Sequence, residues 1–152
     1  MSNIWDESWV AEFQKTACHL AGQYIFMECR NPLNGVAIAE CTKSVFGNLT
    51  VAITPNLPIA QAYDLLLHET AHAKLHGSIL IPSTEVELKI IDFHDNPGAI
   101  VDEDEAETLA NTWWMWAEKI AIDKEAKSGW ETLDMSPAQK VAGRLASLLF
   151  YE

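Results

Sequence analysis

The sequence predicts an α+β fold, mainly helical, in which a small antiparallel sheet of two to three strands packs beside a central helix. Three observations carry this. Apolar residues recur at helical spacing at Trp5, Trp9, Phe13, Ala17, Leu20 and Tyr24, and again at Leu109, Trp113, Ala117 and Ile120. Two short β-rich runs, Val36 to Cys41 and Leu49 to Ile53, lie close enough to pair as a hairpin. Between the helical stretches, Tyr63 to Gly77 reads YDLLLHETAHAKLHG, apolar nearly all round through Leu65, Leu66, Leu67, Ala71, Ala73 and Leu75. That marks a buried helix.

The chain has 152 residues, one domain's worth, and the reading is a single domain over 1–152. Its 49% apolar content excludes wholesale disorder. Ten Lys and Arg against 22 Asp and Glu give a net charge of −12, a field that repels nucleic-acid backbones, so the expected partner is a basic or extended protein or peptide rather than DNA or RNA. Cys18, Cys29 and Cys41, an odd number without CxxC spacing, read as reduced thiols. The start, MSNIWDESWV, lacks a basic, apolar leader, and no stretch approaches the roughly 20 apolar residues of a membrane span. The expectation is a soluble cytoplasmic protein with no membrane partner.

Taken in order, Asn3 caps a first helix with Asp6 and Glu7 in its opening turn, and the helix stops near Arg30-Asn31-Pro32. Asn34-Gly35 breaks the chain, and the hairpin follows, connected through Lys43 to Asn48 with Gly47 in the turn. Pro55 and Pro58 end it and open the central helix, which Gly77 closes. Val86, Leu88 and Ile90 alternate like a third strand; Asp92 to Gly98 reads as a loop. A long helix runs from Asp102 to about Lys127, ended by Ser128-Gly129. Ser136-Pro137-Ala138-Gln139 carries a cap, a first-turn Pro and a capping-box Gln, and starts a last helix to Tyr151.

Within the central helix, His68 and His72 are four residues apart and share one face, where two imidazoles can reach one metal ion. Glu69 lies about 100° further round, beside the ion rather than on it. This is H-E-x-x-H, two zinc ligands plus a general base for a metal-activated water. A catalytic zinc site uses three protein ligands. The candidates are His76, His94 and the acidic cluster Asp102 to Glu107. Three ligands from successive turns of one straight helix diverge along its axis, so His76 is read as a supporting or substrate-side group. In the cluster, Glu103 and Glu107 fall on the edge of the stripe continued by Ala110, Trp114 and Ala121, and Glu105 points about 200° away towards solvent. Glu103 is the favoured third ligand, with Glu105 and Glu107 as alternatives; Glu107, one turn on, suits the outer N–H of a ligand histidine.

HETAHAKLH followed by EDEAETLANTWW resembles the ImmA/IrrE family of zinc metallopeptidase domains, with pattern HExxHxxxH and then E-x-x-A-N-x-F-A. It is also similar to the metallopeptidase half of ArdC-like antirestriction proteins. The resemblance covers roughly Ile59 to Ala117. It implies a zincin-like domain, zinc on His68, His72 and Glu103, and Glu69 as general base. Glu107 stands where the family has Asn, Leu109 where it has Phe, and Trp114-Met115-Trp116 where it has Leu-Met-Pro.

The activity so implied is hydrolysis of a peptide bond in a specific protein target, such as a regulator, by a zinc metalloprotease. Its oxyanion donor would be His76, His94 or Tyr63. The rival readings are a non-proteolytic binding or inhibitor protein that keeps zinc for structure, and an antirestriction or toxin-antitoxin component acting by contact through its acidic surface.

Overall fold

The computed structural model describes residues 1–33, 35, 37–78, 99–128 and 135–152, with side chains of the long helix described from 103 to 121. The fold is α+β and mainly helical. The predicted strand at Val86 to Ile90, the loop after it and His94 lie outside the described residues.

Asp6, not Asn3, caps the opening turn: its carboxylate accepts from the Ser8 N–H at 2.9 Å, and a short 3₁₀ turn, Glu7–Trp9, leads into α1, Val10–Ala21. Asn3 has another task. Its Oδ1 accepts from Ala138 N–H at 2.9 Å, satisfying an amide at the start of the last helix. Trp5 precedes α1 yet reaches the core, stacked 4.4 Å from Phe13 with its indole N–H donating to the Ile53 carbonyl.

The first helix ends well before Arg30, contrary to the periodicity. Gly22 adopts φ 67° and donates to the Cys18 and His19 carbonyls, which terminates α1. The chain then forms β1, Ile25–Cys29. Tyr24, the last residue of the apparent stripe, is 60% exposed and packs edge-on against Phe26 instead.

The predicted hairpin is β2, Ala39–Lys43, and β3, Leu49–Ile53, antiparallel in the register Ala39↔Ile53 to Lys43↔Leu49. Its turn is closed by Ser44 N–H to Asn48 O, and Gly47, at φ 87°, supplies the left-handed step. The third described strand is β1, which pairs parallel to β3 in the register Ile25↔Leu49 to Cys29↔Ile53. The sheet is therefore mixed, in the order β1-β3-β2, and not wholly antiparallel. Ile25, Met27, Ala39, Leu49, Val51 and Ile53 alternate onto one buried face.

Helix α2, Ile59–His76, is the hub: it packs on α1, β2, β3 and the two later helices. Gly77 closes it in the right-handed region, so the glycine is needed here for space: a Cβ would sit 2.4 Å from the Ala73 carbonyl oxygen and 3.0 Å from a Leu49 methyl. Helix α3, Ala99–Ser128, lies on α2 through a buried stripe of Ala106, Ala110, Trp113 and Ala117. Three alanines keep that stripe low. Helix α4, Pro137–Leu148, begins with the predicted capping box, Ser136 and Gln139 bonding reciprocally. The Arg144 guanidinium forks onto Glu118, tying α4 to α3. No described helix is long and apolar enough to cross a membrane.

Candidate metal centre

The seam between α2 and α3 gathers the chemistry. Burial of Leu66, Leu67, Thr70, Ala71 and Ala73 fixes the rotation of α2 and leaves His68, Glu69 and His72 half-buried along one side. The opening turns of α3 bring Glu103 and Glu107 against them. His68 Nε2 lies 2.8 Å from one Glu103 oxygen, and His72 Nε2 lies 2.9 Å from the other. The two Nε2 atoms are 3.2 Å apart.

The outer nitrogens settle which atoms carry protons. His68 Nδ1 is 3.0 Å from Glu107 Oε2, and a carboxylate only accepts, so Nδ1–H donates. His72 Nδ1 is 3.2 Å from His76 Nδ1, and His76 Nε2 is 3.1 Å from Glu105 Oε2. If His76 donates to Glu105, its Nδ1 is a lone pair and His72 donates to it. With both rings neutral, the inner Nε2 atoms then present lone pairs to each other and to the two carboxylate oxygens, four electron-rich atoms at hydrogen-bond distance. A cation resolves that repulsion. The donor set fits one: one ligand atom from each of the three residues lies within 4.8 Å of the others, a spacing that an ion taking imidazole and carboxylate at about 2.0–2.2 Å can span. His68, His72 and Glu103 can hold a metal ion.

Glu69 adds no donor to the triangle but lies near enough to feel the charges of His68 and Glu103. Its side chain is half-buried, and no described residue hydrogen-bonds it. Burial pushes its pKa from 4.5 to about 7, opposed by His68 and reinforced by the charges of Glu103 and Glu40. Its charge also reaches the edge strand: burial raises the Cys41 thiol, and the Glu69 charge, then that of Glu40, raises it further. Burial also lowers the pKa of His72, against the opposing charge of Glu103.

One expectation needs correction. Tyr63 is 2% exposed, its hydroxyl has no described partner, and the charges it senses are Arg144, Glu118 and Asp64, so it does not join the cluster. Glu105 is exposed, as the helical wheel places it, and from there one oxygen also meets His76 Nε2. His76, engaged at both ring nitrogens, stands behind His72 rather than over an open face. The sequence reading passed over Glu40, buried on β2, where one oxygen accepts from Arg30 and the Leu33 N–H and the other has no partner. An acid inside the otherwise apolar run Val36 to Cys41 was the available signal. No family model, curated protein or solved structure matches this chain.

Proposed function

We propose that the chain is a zinc-dependent metallopeptidase that cleaves a protein target. The observation that carries this is the conjunction at one seam: a three-donor triangle of His68, His72 and Glu103, and beside it a carboxyl, Glu69, held near neutrality. The resemblance to ImmA/IrrE domains agrees with it. Zinc suits two imidazoles and a carboxylate, and when bound it supplies a Lewis acid that polarises a carbonyl and acidifies water. The protein's own part is proton traffic. Glu69, with a pKa near 7, takes a proton from the attacking water and returns it to the leaving amine. Glu107 and His76 hold the ligand imidazoles in the required tautomer. The outer edge of β2, unpaired among the described residues, is where an extended substrate can add as a strand.

The test is metal analysis of the purified chain and its Glu69→Gln variant, with both proteins then incubated with basic, extended protein substrates and the products read by mass spectrometry. Near-stoichiometric zinc in both and cutting by the wild type alone is the expected result. Wild type without zinc overturns the proposal. Zinc in both without cutting by either favours a contact protein working through its −12 charge.

A further inference from the structure

A cavity of about 450 Å³ opens along the α2–α3 seam next to the histidines, within the roughly 300–1,000 Å³ of small-ligand pockets. Its lining includes Asp64, Leu67, His68, Glu107, Asn111 and Trp114. The spacing explains it: Asp64, Leu67 and His68 lie on adjacent turns of α2, and Glu107, Asn111 and Trp114 at every third or fourth residue of α3. His68 belongs to both the cavity and the metal triangle, so whatever fills the cavity lies beside the reacting centre.

Its chemistry selects the occupant. Two carboxylates, an amide and an indole line it, and the one basic residue among them, His68, is engaged by Glu107 and by the metal triangle. The side chains of Asp64, Asn111 and Trp114 make no hydrogen bond to any described residue. An apolar side chain would strip water from two carboxylates without replacing it. A second metal is a poor fit, because Asp64 is in no described set of converging donors and an indole does not ligate. A cation on an alkyl stem satisfies all of it: stem along the exposed Trp114 indole, charge between the carboxylates. Partial burial and the charge of Glu107 push the Asp64 carboxyl up, a strain that such a cation relieves.

We propose that this cavity is a specificity pocket for a lysine or arginine side chain of the substrate, flanking the scissile bond. This rests on the peptidase reading, and the test separates the two. A peptide library is digested with the zinc-loaded chain. Lys or Arg enriched at one fixed position next to the cut, about tenfold over neutral isosteres, is expected, with that preference lost in Asp64→Asn and reversed in Asp64→Lys. Cutting with an apolar, acidic or absent preference overturns the pocket and leaves the peptidase standing. If nothing is cut, N-acetyl-lysine amide is titrated into the full chain while the Trp114 indole proton, assigned through Trp114→Phe, is followed by NMR. A saturating shift weakened by Asp64→Asn supports the pocket, and no shift overturns it.

Discussion

His72 Nδ1 and His76 Nδ1 lie 3.2 Å apart, a separation at which two ring nitrogens share a single proton. Glu105 decides the direction by accepting from the far side of His76. His76 therefore belongs to the chain of bonds that aims His72 at the ion. His76→Ala is expected to weaken zinc binding by about 10- to 100-fold with the fold intact, read by competition with a chromophoric chelator. Glu105 is 57% exposed, so Glu105→Gln should have a smaller effect in the same direction.

Removing the ligands should remove the metal's effect on stability. Zinc at a hundredfold excess over its Kd adds about 2.7 kcal/mol, which for a chain of this size raises Tm by roughly 5–10 °C. Calorimetry with and without chelator should show that rise in wild type. His68→Ala, His72→Ala and Glu103→Ala should not show it.

Glu69 makes the metal-free protein pH-sensitive in a defined direction. Its folded pKa, about 7, is above the unfolded value near 4.5. Between those values the native state holds the extra proton, so stability falls as pH rises through the window. The shift corresponds to at most roughly 3 kcal/mol. Thermal melts in chelator at pH 5 and pH 8 should therefore fall further for wild type than for Glu69→Gln. The variant should be the more stable protein at pH 8 and inactive with zinc bound. Hydrolysis by wild type should rise with pH on a limb at or below about pH 7, because the base must be ionised and a nearby cation favours that form.

Asn3 supports a helix more than a hundred residues away. Asn3→Ala leaves the Ala138 amide without its acceptor and should cost about 1 kcal/mol in urea unfolding, the effect of losing a helix cap.

The sequence disclosed the parts governed by short-range rules. The central helix, the hairpin and the capping box at Ser136 were readable from spacing and turn residues, and the helical wheel put Glu103 and Glu107 on the side where they meet His68 and His72. What it concealed depends on distant partners. Tyr24 continued the apolar stripe of α1, and only the left-handed Gly22 marks the end; the parallel pairing of β1 with β3 has no local signature. The wheel gives a direction from an axis and not where the next turn of a neighbouring helix passes, which is how Glu105 reached His76. Asp64 and Asn111 carried no signal of their own, because a cavity belongs to two helices at once.

His68 and His72 project from a helix braced by the sheet and three other helices, whereas Glu103 stands near the beginning of α3 with 56% of its side chain exposed. Two donors are thus preset and the third is free to arrive late. Loading should proceed in two kinetic phases: capture by the imidazole pair at a rate proportional to ion concentration, then a concentration-independent clasp by the carboxylate. Release runs in reverse, so the residence time of the ion is governed from the acidic side of the seam.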